Sequence, residues 1–108
     1  MKYDRYEIFG LLGAPPRGIF ITGIHMALWG REFSLSCIYD PDASKPFLIV
    51  FKEVLSISWT LWDDVDERDT IADVIGIILD TENRKCIITT HVFEISVSYG
   101  QLVFEKDW

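Results

Sequence analysis

With 108 residues, 49% of them hydrophobic, and no linker-like Pro/Gly/Ser tract, the chain predicts one domain over residues 1–108 with apolar material enough for a core without staples. Seventeen Asp and Glu against ten Lys and Arg give a formal charge of −7, and the bases do not cluster, which argues against a nucleic-acid backbone or an anionic membrane as partner. Global disorder is excluded, and so is a transmembrane helix, because no apolar run approaches the ~18 residues a crossing needs.

The first segment, Met1-Lys2-Tyr3-Asp4-Arg5-Tyr6-Glu7, carries acids where a secretory signal needs an apolar stretch, which predicts a cytoplasmic location. Residues 1–18 read as an N-terminal arm. A short helical turn begun by Tyr3 to Leu12 is broken by Gly10, Gly13, Pro15, Pro16 and Gly18. Its apolar members Tyr6, Ile8, Phe9, Leu11 and Leu12 predict that the arm lies against the body.

From Ile19 to residue 108, β-branched and aromatic runs alternate with turn clusters, the pattern of sequential antiparallel strands. The predicted runs cover 19–29, 33–39, 47–51, 54–61, 73–80, 85–98 and 101–106. A bulge near Lys52 and Glu53 joins the third and fourth into one interrupted strand. Turns are expected at Gly30-Arg31-Glu32, at the proline-bounded Asp40 to Pro46, and as hairpin links at Asp80 to Lys85 and Tyr99-Gly100. The fold class is mainly β: a single, strongly twisted antiparallel sheet, curled toward a half-closed barrel, with a short N-terminal helical turn or arm.

Period-two parity places Phe33, Leu35, Cys37 and Tyr39, then Leu55, Ile57, Trp59 and Leu61, then Phe93, Ile95, Val97 and Tyr99 on one core face. Opposite them stand Ser34, Ser36, Ser56, Ser58, Thr60, Ser96 and Ser98, nearly without charge. A solvated strand face normally carries long charged residues, so this second face is expected to be covered by the arm, by barrel closure or by another subunit. Phe47 to Phe51 and Val74 to Leu79 are apolar on both sides and predict strands buried twice over. Cys37 and Cys86 lie inside apolar runs, outside any CxxC pair, and read as reduced core thiols.

Chemistry has few footholds. His25 points to the second face between Gly23 and Ala27, and His91 shares parity with the core row, so the two face opposite sides and predict no metal site. Asp63, Asp64, Asp66, Glu67 and Asp69 form the densest acidic cluster, but it lacks the glycine and glutamate spacing of an EF-hand. No nucleophile elbow or phosphate loop occurs, and no cofactor is implied. Trp29 and Trp59 read as packing residues. Trp62 and Trp108, among charges, read as contact residues.

The residues do not name a function. The working expectation is a noncatalytic, acidic protein-interaction module, a homodimer or a subunit bound to another protein, with an inhibitor or immunity-type protein docking on a basic surface as its specific form. Its contact residues are Trp62, Asp63, Asp64, Asp66 and Trp108. One alternative is a small-ligand-binding β domain with a pocket lined by His25, Trp29, Tyr39, Trp59, His91 and Tyr99. The other is an enzyme pairing His25 or His91 with a carboxylate.

Overall fold

The computed structural model describes residues 2–3, 13, 15, 18–40, 45–62 and 71–107. Among them are nine strands: β1 (Lys2–Tyr3), β2 (Ile19–Ala27), β3 (Glu32–Tyr39), β4 (Lys45–Lys52), β5 (Ser56–Leu61), β6 (Ala72–Asp80), β7 (Lys85–Thr90), β8 (Phe93–Ser98) and β9 (Gln101–Glu105). They form one antiparallel sheet in the order β5-β8-β7-β6-β2-β3-β4-β9, with β1 pairing beside this path on β6. β5 and β9 end the path and do not pair with each other, so the sheet is not closed. The single helical element among the described residues is a 3-10 turn at Leu28–Gly30. The expected N-terminal helical turn falls mostly on residues 4–12, outside the described residues, and Tyr3 at its start is in β1.

The alternating burial of β3, β7 and β8 follows from period-two geometry: one face turns inward and the other outward. Phe33, Leu35, Ile49, Phe51, Ile77, Leu79, Ile88, Ile95 and Val97 form the centre of a single apolar core. Phe51 bridges two ring contacts, with centroids 6.0 Å from Phe33 and 5.3 Å from Tyr99.

Two chain segments turn the sheet's corner together. β4 continues into β5 and β8 continues into β9, while β4 pairs with β9 and β5 with β8. Between the pairs Lys52↔Gln101 and Ser56↔Ser98 lie three residues on one side (Glu53, Val54, Leu55) and two on the other (Tyr99, Gly100), hence one extra residue. The expected single strand with a bulge is instead two strands, β4 and β5, with different partners and one more residue in their link than in the facing one. The change of inward parity falls on the facing segment, from Phe93, Ile95 and Val97 in β8 to Leu102 and Phe104 in β9. Tyr99-Gly100 is not a hairpin: Gly100 N–H reaches the carbonyls of both Lys52 and Glu53 at 3.0 Å, fixing the corner.

Three further expectations change. The run 85–98 is two strands, parted at His91 and Val92, because Thr90 replaces backbone pairing with its own hydroxyl. The first hairpin turns earlier than expected, since Ala27↔Glu32 is its last pair and Leu28 to Arg31 form the loop. The second face is not hidden as foreseen: Ser56, Ser58 and Thr60 are exposed, and Ser34, Ser36, Ser96 and Ser98 are half-buried. All described strands belong to the one sheet, so no described strand forms a second layer over these rows. β4 does bury Val50 on its outer side, but on β6 Ile75 and Ile78 are exposed. Ile75 sits at a register shift between Val74 and Gly76, where an extra residue is turned out of the ladder.

Candidate functional site

The hairpin between β2 and β3 ends in an unusual backbone. Leu28 (φ 54°) and Trp29 (φ 61°) both adopt the left-handed region ahead of Gly30 (φ 95°). Glycine takes that conformation freely, whereas a side chain meets its own backbone there at a cost of about 1 kcal/mol or more. Burial does not compensate, because Trp29 is fully exposed at 104% and Leu28 is exposed beside it. The strand run breaks at this point because left-handed residues cannot continue a ladder. Arg31 N–H closes the loop on the Leu28 carbonyl at 3.2 Å.

The sheet corner is tied to this tip. Val54 N–H donates to the Arg31 carbonyl at 2.9 Å, so Leu55, 82% exposed, stands next to a bond whose other end is two residues from Trp29. Beyond it on β5, Trp59 stacks on Phe93 at 4.4 Å and 17° yet remains 45% exposed, and Leu61 is exposed too. On the other arm of the tip, Ile24 and Met26 are exposed although their partners, Leu35 and Phe33, are core. β2 pairs with β6 only at Phe20 and Ile21, so this end of β2 has no described strand on that side to cover it. Two elements joined by one hydrogen bond thus present seven large apolar side chains.

A second feature is a groove on the outer face of β2, β3, β4 and β9. A cavity of ≈650 Å³ lined by Thr22, Ser36, Ile38, Pro46, Leu48 and Glu105 adjoins a smaller one of ≈180 Å³ lined by His25, Ala27, Glu32, Ser34 and Val50. Leu48 and Glu105 belong to both. A third feature, near the corner, comprises cavities of ≈360 and ≈260 Å³ that share Arg84, Tyr99 and Gly100. Burial, followed by the nearby Cys86 thiol and Asp80 carboxylate, pushes the Tyr99 phenol up, so it is neutral at ordinary pH.

The residues foreseen from sequence scatter across these features. Trp62 is half-buried, with its indole N–H donating to the Thr90 carbonyl at 2.9 Å. Its foreseen companions Asp63, Asp64, Asp66 and Trp108 lie outside the described residues. Of the foreseen pocket, Tyr39 and Tyr99 are core residues, and the Tyr39 hydroxyl donates to the Pro15 carbonyl. His25 lies on the outer groove opposite Ser34, where parity puts it. His91, expected on the core side, is exposed in the turn after β7, and its Nδ1 accepts the Asp73 N–H at 3.1 Å. Trp29 and Trp59, expected to pack, are the exposed tryptophans of the tip and of β5. These six side chains do not line a common cavity among those described, since His25 and Tyr99 border separate ones.

No known protein family matches the chain, and no curated protein matches it in sequence. A solved structure does match in shape. It is the crystal structure of an uncharacterized protein from Neisseria gonorrhoeae, 16% identical, covering 99% of both chains with a TM-score of 0.65. At that identity the likeness concerns the fold, end to end.

Leu28, Leu55, Ile24 and Met26 went unassigned as contact residues in the sequence. Each stands in an apolar or β-like run, and only the left-handed tip, the corner and the short β2–β6 pairing expose them. Among the described residues no three His, Cys, Asp or Glu side chains are gathered to hold a metal ion, and no helix is long and apolar enough to cross a membrane. Cys37 and Cys86 are buried free thiols, both pushed up to about 12 by burial.

Proposed function

We propose that this chain works by contact, as a noncatalytic protein-interaction module in the cytoplasm. The supporting observation is Trp29, a large apolar side chain left fully exposed on a left-handed backbone that glycine would adopt without cost. Folding alone gives no reason for tryptophan there. Tryptophan is, however, the residue most enriched at the energetic centre of protein interfaces. Leu28, next to Trp29 in sequence, and Leu55, one residue from the Val54–Arg31 bond, are exposed as well, and exposed apolar surface of this kind marks interaction sites.

The net charge of −7 favours a basic protein as partner, and an inhibitor or immunity-type role on a basic enzyme surface is the specific form of the reading. The acidic segment with Asp63, Asp64 and Asp66 would supply the charge and the tip the apolar anchor. The experiment compares wild-type, Trp29→Gly and Leu55→Ser chains as baits in native lysate. The expected result is a protein retained by the wild type and lost from both variants, with Trp29→Gly as stable as the wild type or more so by about 0.5–1 kcal/mol, because the left-handed strain is relieved. Capture of nothing, or of the same proteins by all three baits, overturns the reading.

A second reading rests on the outer groove, whose ≈650 Å³ cavity falls in the size range of small-molecule sites. It would place a ligand over Ser36 and Leu48, away from the aromatic residues foreseen for a pocket. Amide shift mapping against a panel of small compounds tests it, and a panel that leaves Ser36 and Leu48 unmoved removes it.

A further inference from the structure

The end of the sheet at β5 carries information that the tip does not. Trp62 N–H donates to the Val92 carbonyl at 3.1 Å, continuing the register of the β5–β8 pairs, whereas Leu55 N–H reaches the Ser98 carbonyl at 2.8 Å from outside that register, at the corner's extra residue. In an antiparallel ladder alternate residues bond to the same neighbour, and Ser56, Ser58 and Thr60 are opposite Ser98, Ser96 and Glu94. The even residues of β5 therefore bond to β8. Ile57, Trp59 and Leu61 turn their N–H and C=O groups outward along the sheet's edge, where no described strand pairs with them.

Proteins usually guard such an edge with charge, proline or a covering loop. β9, at the other end of the path, runs into Glu105, Lys106 and Asp107. β5, Ser-Ile-Ser-Trp-Thr-Leu, has neither a charge nor a proline in its six residues.

We infer that β5 is the seam of a homodimer, in which two copies join edge to edge and antiparallel about a two-fold axis at Trp59. The pattern is self-complementary only in registers that pair odd residues with odd, since those carry the outward backbone groups. Centring the axis on Trp59 uses all three: Ile57 opposite Leu61 of the second copy, Trp59 opposite Trp59, and Leu61 opposite Ile57. On the core side apolar groups then meet apolar groups, and on the outer side Ser58 meets Thr60. No charge is opposed in the seam. That matters for two chains of charge −7 each, because repulsion between their remaining charges is screened over a Debye length of about 8–10 Å. The result is a continuous sheet through both subunits. This extends the contact reading to a second surface, distinct from the Trp29 tip.

Two measurements on the full chain test the seam. Light scattering at micromolar concentration is expected to return twice the chain mass for wild type and the single mass for Trp59→Lys, which sets two ammonium groups face to face on the axis. Because Trp59→Lys also removes the Phe93 stack, the register is tested without touching the core. Ser58 and Thr60 of different copies would form a non-hydrogen-bonded pair with Cα atoms about 4.5 Å apart, within disulfide reach. The double variant Ser58→Cys/Thr60→Cys is expected to become a covalent dimer on mild oxidation, while either single variant, run denatured without reductant, shows no covalent dimer. The buried native thiols do not compete. A wild-type chain of single mass, or a double mass with no crosslink in the double variant, overturns the proposal. A single mass with Trp29-dependent capture leaves the interaction reading standing. A crosslinked dimer without such capture does the reverse.

Discussion

Thr90 shows how much structure one hydroxyl can set. It is fully buried, and its Oγ1 donates to the Phe93 carbonyl at 3.0 Å while accepting N–H groups from Val92 at 3.0 Å and Phe93 at 2.9 Å. That is the whole capacity of a hydroxyl, one donor and two acceptor sites. Thr90→Val keeps the shape and removes all three bonds. Leaving buried or half-buried N–H groups unpaired should cost about 2–4 kcal/mol, whereas Thr90→Ser should retain most of the stability. Urea denaturation distinguishes them, and a valine variant within about 0.5 kcal/mol of wild type would refute the account. The same residue explains why the β7–β8 turn was illegible in sequence. Composition-based turn signals are Gly, Pro, Asn and Asp, and a β-branched threonine inside Ile-Ile-Thr-Thr-His-Val reads as strand. His91 was misplaced with it, carried onto the core side by a parity count that ran unbroken through a turn.

Among elements, the paired corner is the joint on which the sheet's two ends depend. Most strands were legible, because alternation and β-branching act locally, but β1 and the division of 85–98 into β7 and β8 were not. Strand partnership was not, because it is decided by residues distant in sequence. A two-residue Tyr-Gly link therefore looked like a hairpin, although β9 returns to β4. The irregularity near Lys52 and Glu53 was expected from a parity change that in fact falls on the facing link, between Val97 and Leu102. Gly100 is the tightest point of this corner: a Cβ there would lie 2.7 Å from the Cβ of Glu53, itself left-handed at φ 54°. Gly100→Ala should thus cost about 1–3 kcal/mol through overpacking. Glu53→Gly removes the obstructing side chain and supplies a residue that accepts the left-handed backbone. In that background the alanine should cost close to nothing. Denaturation of the four chains in a double-mutant cycle measures the coupling, and additive effects would show that the contact is not what requires glycine at position 100.

For the molecule as a whole, the core face was legible on β3 and β8, but Leu55, Trp59 and Leu61, expected in the same core layer, are exposed at the β5 edge, and the state of the other face was not legible. Parity says which residues point together, but whether another layer covers them depends on where the sheet ends and how far β2 and β6 overlap. Ile75 and Ile78 look no different from core isoleucines until those ends are known. The two cysteines offer a test of the single core on the side where parity succeeded. Both thiols are held near 12 by burial, against 9.0 when solvated. Between those values the unfolded chain releases thiol protons that the folded chain keeps. Fewer protons are then bound in the unfolded state, so stability falls as pH rises. The contribution is intact below about pH 9 and is lost progressively toward 12, with each thiol adding up to about 1.4 kcal/mol per pH unit to the slope. Other groups titrate in the same range, so the informative quantity is a difference. The urea midpoint of wild type should fall more steeply above about pH 9 than that of Cys37→Ala/Cys86→Ala, while below about pH 8 the two chains run parallel. About half of the excess slope would mean that one half of the sheet opens to solvent before the rest unfolds, so that the two halves do not share one cooperative core, and parallel behaviour through the alkaline range would mean that neither thiol is held away from solvent.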